Sequence, residues 1–430
     1  MPPAFHDHPP RRIAIVGAGI GGMIAAHALA PRHRVTLFEA ESRAGGHART
    51  ILAGRNGDRP VDTGFIVWNR ANYPNLVALF DDLGVPVAES DMSFAASLDG
   101  GRVEYSLRTA DTMFAQRRNL LSPRFLRMVR DIFRFNAHAA DAACDPDLPL
   151  GAFLDRLGMG PEFRDWYLAP ISGAIWSTPT RQVMEFPAQA MMRFFRNHNL
   201  LSHKGQHQWY TVRGGSAEYV ARLTARLARM GVEQRLGTPV RAIRRDAPGV
   251  EVLAGQGPER FDDVVLATHA DDSLRLLADP RPHETALLSR VRFQDNEAVL
   301  HADPSVMPRR RKVWAAWNYA EQAARPDRIG LTYWMNRLQP IPQDDPLFST
   351  LNPQRPIRED LIHDVTTFRH PVYDLPMMQA VEGLRAANGT DRTWFCGAWM
   401  RNGFHEDGFV SALDVADAMA ARDPVQVAAE

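Results

Sequence analysis

Arg12-Ile13-Ala14-Ile15-Val16-Gly17-Ala18-Gly19-Ile20-Gly21-Gly22 is the stretch whose reading decides the fold. Ile13 to Val16 is apolar throughout, which predicts a short strand buried on both faces of a parallel sheet. Gly17, Gly19 and Gly22 then fall at the G-x-G-x-x-G spacing, and Met23 to Leu29 predicts the helix that follows. Gly17 makes the tight turn, Gly19 lets a pyrophosphate approach the backbone, and Gly22 lets the helix pack close on the strand. The phosphates then meet the free N–H groups and positive end of a helix. A second apolar run, Val35 to Phe38, ends at Glu39, twenty-two residues after Gly17, where an acid accepts hydrogen bonds from an adenosine ribose.

The residues that follow narrow the ligand. Glu39-Ala40-Glu41-Ser42-Arg43-Ala44-Gly45-Gly46-His47-Ala48-Arg49-Thr50 resembles the E-x-x-x-R-x-G-G-x-x-x-T run of the flavin amine oxidase and phytoene desaturase-like superfamily. That resemblance implies FAD rather than NAD, with Arg43, Gly45 and Gly46 along its pyrophosphate. The superfamily often carries a second Arg where this chain has His47, and Arg49 is expected in its stead. Val61-Asp62-Thr63-Gly64-Phe65 matches the segment that passes beside the isoalloxazine ring, so Thr63, Gly64 and Phe65 join the expected cofactor residues.

Length and composition bound the rest. At 430 residues the chain exceeds one typical core, which predicts two domains. Formal charge is zero and 45% of residues are hydrophobic, so bulk charge draws the chain to neither nucleic acid nor membrane. Two cysteines, Cys144 and Cys396, make no disulfide framework, which fits a reducing cytoplasm. Met1 to Pro10 lacks the basic and apolar regions of a signal peptide, and no apolar run is long enough to span a bilayer.

Along the chain, Leu76–Leu83 predicts a helix ended by Gly84, and residues 93–105 predict a hairpin around Asp99-Gly100-Gly101. From Thr112 to Asn199 the pattern is helical and aromatic-rich. An amphipathic helix is expected over Tyr219–Met230, then strands over Val240–Arg245, Val250–Leu253 and Phe261–Thr268. By the resemblance, Val240 stands near the adenine and Ala267 and Thr268 near the pyrophosphate. The sheet closes with Thr393 to Trp399, and the last helix is expected to start at Gly408 with Phe409. Gly397 ends that strand, and Ala398 stands where the superfamily's usual acid would be, so Asp407 or Glu406 is expected to serve the ribityl chain. The expected architecture is α/β: a doubly wound, Rossmann-like FAD-binding domain with an inserted α+β substrate domain. The FAD domain takes 12–85, 205–285 and 391–422, the substrate domain takes 86–204 and 286–390, and 1–11 and 423–430 are tails.

Closer resemblances point to a narrower branch. Ser90-Asp91-Met92-Ser93-Phe94, Ala316-Trp317-Asn318-Tyr319, Thr332 to Gln339 and Gly403-Phe404-His405-Glu406-Asp407-Gly408 resemble bacterial NAD/FAD-binding oxidoreductases and the N-terminal oxidase-like region of plant cyclopropane fatty acid synthases. The substrate this implies is an acyl chain of a membrane lipid, including methyl-branched chains desaturated on the way to furan fatty acids, with hydride loss to flavin N5. Only one dinucleotide fingerprint is present, which argues against a reductase fed by NAD(P)H. The alternatives are amine oxidation, and a non-catalytic flavoprotein partner of a lipid methyltransferase.

For proton transfer the candidates are His405, with its carboxylate neighbour Glu406, and His198. His198, His203 and His207 are spaced by five and four, but no acid or cysteine cluster joins them, and no metal is expected. Phe125, Met128, Val129, Ile132 and Phe133 recur at helical spacing beside Arg127, Arg130 and Arg134. Such a helix either faces the core or lies apolar face down on an anionic bilayer, which would place the protein at the inner face of the membrane.

Overall fold

The computed structural model describes residues 9–143, 145–201, 205–246, 248–255, 257–321 and 328–422. Its organising element is a five-stranded parallel sheet in the order 233–235, 34–38, 12–16, 263–266, 393–395. At its centre β1 (Arg12–Val16) runs into helix α1 (Ile20–Leu29) and back to β2 (Arg34–Phe38). Alternation along β1 explains why every residue there is apolar. Ile13 and Ile15 pack with α1 and with the helices Ala217–Arg229 and His405–Arg422 on one face. Ala14 and Val16 pack on the other against Val250, Val252 and Phe261 of a three-stranded antiparallel meander. Burial on both faces is what a continuous hydrophobic strand requires.

Two expectations change at this level. Phe261–Thr268 is not one strand but the end of the meander strand Gly257–Phe261 and the separate parallel strand Asp263–Leu266. Asp262 makes the break, its carboxylate accepting the Arg12 N–H at 2.7 Å. The last helix starts at His405, three residues before Gly408. Asp407 in its first turn accepts the Phe404 N–H at 2.9 Å and so winds that turn.

The second sheet has seven strands, in the order 362–371, 293–301, 348–351, 331–334, 317–320, 94–98, 103–106. The hairpin expected at 93–105 forms its edge, with Ala95 opposite Ser106 and Leu98 opposite Val103. Phe94, Ala96, Tyr105, Tyr319, Leu331 and Phe368 share one core with the helical layer 123–197, including Phe125, Phe135, Phe163, Trp176, Phe194 and Phe195. Most of the aromatic residues of that segment are therefore ordinary core.

The helix Pro123–Ala142 turns part of its apolar stripe inward and leaves Phe133 exposed. Phe125, Met128, Phe135 and Ala139 are buried, and so is Asp131, whose carboxylate accepts from Arg130, Arg134 and the Gly160 N–H. Two of the three arginines on its other face thus hold a buried acid, and Phe125 and Met128 face the core. Among the described residues no helix is long and apolar enough to cross a membrane.

Candidate active site

The glycine loop has the geometry its spacing predicts. Gly17 takes φ +100°, where an L side chain is strained, and donates its N–H to the Phe38 carbonyl at 2.8 Å. A Cβ on Gly22 would collide with the Gly17 carbonyl oxygen, so helix and strand touch backbone to backbone. Gly19 is the N-cap of α1 and offers no side-chain cap, and a Cβ built there would meet nothing within 4 Å. The open space lies where a phosphate must come, above helix N–H groups that have no intrahelical acceptor.

Other segments close around this cradle. Gly46 faces it, with a Cβ position 3.2 Å from the Gly19 Cα, and the Gly45 N–H donates to the Ala18 carbonyl at 2.8 Å. Arg43 donates to the carbonyls of Gly46 and Ala48, holding the Gly45–Gly46 turn in shape. From the far side, the Cβ position of Gly21 lies 3.4 Å from Gly397 Cα, and that of Gly408 lies 2.8 Å from Ile20 Cγ2. Phe409 is buried behind them. Two helix N-termini thus meet over backbone that carries no side chains. Glu39 stands at the tip of β2, half-buried, its Oε2 accepting the Ala18 N–H at 2.7 Å and its Oε1 the Glu41 N–H at 2.9 Å. Those bonds fix the carboxylate beside the loop and leave lone pairs for ribose hydroxyls. Ala267 packs on Gly17, and the Thr268 carbonyl accepts from Trp399 Nε1 at 3.0 Å. Val240 opens the first meander strand, half-buried at a register shift. An adenine dinucleotide fits what these residues leave open.

Four of the expected site residues have protein partners of their own. Arg49 does not reach the glycine loop; it forms a two-pronged ion pair with Asp364, at 2.6 and 3.0 Å, tying the cofactor region to the second sheet. Glu406 commits its carboxylate to a helix cap rather than to His405. Its Oε1 accepts from Asn75 N–H (3.0 Å) and Nδ2 (2.6 Å), and its Oε2 from the Leu76 N–H (3.0 Å), capping the helix Pro74–Leu83. Asp407 accepts from Phe404 N–H and Asn402 Nδ2, and burial pushes its carboxyl up to about 6. His198 ends the helix Ala188–Asn197, stacked on Phe194 at 3.9 Å with Nδ1 on the Phe194 carbonyl. Phe404 packs on the rings of Phe194 and His198. Of the three histidines weighed for a metal, His203 lies outside the described residues.

His405 lies beside the 61–65 segment that was expected to flank the isoalloxazine ring. Its ring stacks on Phe65 at 3.7 Å, and its Nε2 shares a 2.8 Å hydrogen bond with the Tyr219 hydroxyl. Phe65 in turn donates its N–H to the His47 carbonyl, and a Cβ on Gly64 would collide with that same carbonyl. Thr63, one residue before, donates its N–H to Arg49. Desolvation holds the His405 imidazole down at about 3, so it is neutral and a weak base.

His405 has company that periodicity could not reveal. His47 lies 5.8 Å from both His269 and His370 by ring centroids, and Phe368 and Phe293 stack among them. All four imidazoles sit deep in the molecule yet keep partial exposure, and we call this group the imidazole cleft. Desolvation is the first cause of depression in each, to about 4 for His47 and about 3 for His269 and His370. His269 also approaches Asp271 and Asp272, but Arg369 pairs with both carboxylates and Arg275 with Asp272. A pH dependence follows. Unfolded histidine titrates near 6.5 and these titrate lower, so the unfolded chain binds protons first as pH falls. Stability is fully present above about pH 6.5 and drains as pH falls toward 4, by up to about 1.4 kcal/mol per pH unit for each imidazole. Urea titrations of the FAD-free protein at pH 7.5 and 5 should show it; equal midpoints would contradict the depressed imidazoles.

Beyond the cleft, Trp317 and Tyr333 pair across neighbouring strands of the second sheet, edge to face at 5.1 Å, with the helical layer opposite. Trp314 and Trp334 pack on the sheet's other face with Phe348 and Met307.

This geometry agrees with the comparisons. Residues 20–299 match the family model of flavin containing amine oxidoreductases. Protoporphyrinogen oxidase 2 of Arabidopsis thaliana is 38% identical over 82 residues, which is 17% of this chain and only 14% of that protein. A provisional protoporphyrinogen oxidase from Exiguobacterium sp. 255-15 superposes with TM-score 0.73 at 17% identity, covering 96% of this chain and 99% of the other. Cyclohexylamine oxidase from Brevibacterium oxydans IH-35A gives 0.67 at 17% identity, over 96% and 99% of the two chains. A CLA-producing fatty acid isomerase from P. acnes gives 0.66 at 16%, over 96% and 98%. The α/β architecture, the FAD cofactor and the oxidoreductase class follow from the family match and the glycine cradle together: the chain belongs to the flavin-containing amine oxidoreductase family.

Proposed function

We propose that the protein is an FAD-dependent oxidoreductase that desaturates an acyl chain of a membrane lipid, including a methyl-branched chain on the way to a furan fatty acid. The observation that carries this reading is that, among the described residues, the carboxylates around the cofactor cradle are engaged by protein partners. An amine substrate arrives as a cation and is met best by an unpaired carboxylate. The carboxylates nearest the cleft are already engaged. Asp364 holds Arg49, Glu406 caps a helix, and Asp271 and Asp272 hold Arg369. Asp62 accepts from Thr50, Ser216 and Gln339, and burial lifts its carboxyl to about 6.

What remains to meet a substrate is neutral: the imidazoles of His47, His370 and His405, and the rings of Phe65, Phe368 and Phe404. Such walls accept an uncharged chain and exclude water from the reacting carbon. When bound, FAD supplies the two-electron acceptor for loss of two hydrogens. The chain's own residues orient the chain, and His405, held by Tyr219 and Phe65, fixes one wall. A fatty acid isomerase among the proteins of the same fold supports the acyl-chain class, and cyclohexylamine oxidase supports the amine alternative.

Anaerobic mixing of the purified yellow protein with lipid extracts and with a panel of amines tests the reading. Bleaching by lipid and not by amines is expected. Bleaching by an amine alone replaces the reading with amine oxidation, and no bleaching by either supports a non-catalytic partner of a lipid methyltransferase.

A further inference from the structure

Seven large hydrophobic residues are exposed among those described, and four of them, Leu120, Leu121, Leu126 and Phe133, lie within fourteen residues of one another. Leu121 is 87% exposed, at the end of the short turn Arg117–Leu121 that precedes the core-facing helix. That turn forms the rim of a groove of about 1020 Å³ lined by Arg102, Arg118, Arg124 and Arg181. A second groove of about 500 Å³ shares Arg102 and Arg118 and adds Arg309 and Arg310. Among the described residues only Asp99 and Glu321 bring carboxylates to either lining. In a chain with 50 basic and 50 acidic residues this is a marked local imbalance. Some of these arginines are occupied: Arg102 pairs with Asp99, Arg124 with Glu162 and Arg310 with Glu104. Among the described residues no carboxylate pairs with Arg118, Arg181 or Arg309.

We infer that this rim and groove form a docking surface for an anionic lipid bilayer, with Leu120, Leu121 and Leu126 entering the acyl boundary and the arginines meeting lipid phosphates. Apolar insertion next to a basic rim is the pairing that interfacial binding needs. A second copy of the chain is a poor occupant, because a two-fold contact would set arginines against arginines. A nucleic acid would satisfy the arginines but offers no apolar layer to receive the leucines. The surface shares only Phe133 with the amphipathic stripe read in the sequence, whose Phe125 and Met128 are buried. It stands whatever the substrate class, since it touches none of the cofactor residues.

The test uses the full-length FAD-loaded protein and vesicles of phosphatidylcholine with or without phosphatidylglycerol. Binding to the phosphatidylglycerol vesicles, weakened by salt and at least about tenfold weaker on neutral vesicles, is expected. Leu121→Asp should abolish it, and Arg181→Gln should weaken it about fivefold, both with the yellow colour unchanged. Millimolar inorganic phosphate should not release the protein; release by phosphate would reassign the groove to a small anion. Absence of binding, equal binding to neutral vesicles, or unchanged binding in both variants would overturn the inference. So would a wild-type dimer that Leu121→Asp turns into a monomer.

Discussion

Gly22→Ala is expected to give a colourless protein. The added methyl group would fall inside the shell of the Gly17 carbonyl oxygen, and that oxygen belongs to backbone that cannot swing aside. Gly17 is pinned by its N–H to Phe38, and Ala267 closes it from the next strand. Relief requires α1 to lift from β1, which moves the N–H groups of its first turn away from the phosphate position and opens the tightest packing of the domain. Overpacking a flexible core costs about 1–3 kcal/mol, and a collision with fixed backbone costs more than that. Glu39→Gln is the milder companion. It keeps the shape but halves the acceptor capacity at a carboxylate that already serves Ala18 and Glu41, so FAD affinity should fall about tenfold or more with the fold intact. Absorbance near the flavin bands after gel filtration, with fluorescence titration of added FAD, measures both. A yellow Gly22→Ala protein with wild-type affinity would mean that the pyrophosphate does not sit at this helix.

What was legible in the sequence follows from how far apart the interacting parts lie. The glycine loop, its helix and Glu39 are local: their geometry is set by backbone within a few residues, and they could be read directly. The hairpin at 93–105 was equally local, though nothing in it announced the seven-stranded sheet whose edge it forms. Side-chain partners across the fold were another matter. Arg49 was expected to replace the superfamily's Arg at the His47 position, while its partner in the structure, Asp364, is 315 residues away. The helix after Ser122 showed a face at the right period, and period alone does not say which medium the face meets. Asp131 was the available clue, since an acid in line with Phe125, Met128 and Phe135 has to be paired by arginines if that line is buried. The imidazole cleft joins residues 47, 269, 370 and 405 from four segments, and no spacing rule connects them.

Glu406 separates a catalytic reading from a structural one most sharply. Beside His405 in sequence, its carboxylate looks placed to tune the imidazole, and removal would then cost turnover at little cost in stability. In the structure it points to the start of the helix Pro74–Leu83, where Pro74 occupies the first position and Tyr73 supplies no side-chain cap. The free N–H groups of Asn75 and Leu76 are satisfied by this one carboxylate, reached across 331 residues of chain. A buried anion at a helix N-terminus gains from the charge-assisted bonds and from the dipole together. Its loss leaves two backbone donors and the Asn75 amide without an acceptor in a place water reaches poorly. Glu406→Ala is therefore expected to cost about 3 kcal/mol, and Glu406→Gln about half as much, since one amide oxygen can still accept. The helix 74–83 carries Leu76, Leu79 and Phe80 into the core that also holds α1 and Tyr219, so loosening it reaches His405 through the Tyr219 hydroxyl. Turnover should then fall in step with the folded, FAD-loaded fraction, and per bound flavin it should stay within about twofold of wild type at 15 °C. A Glu406→Ala protein that melts like wild type but loses turnover per flavin would return the carboxylate to the chemistry.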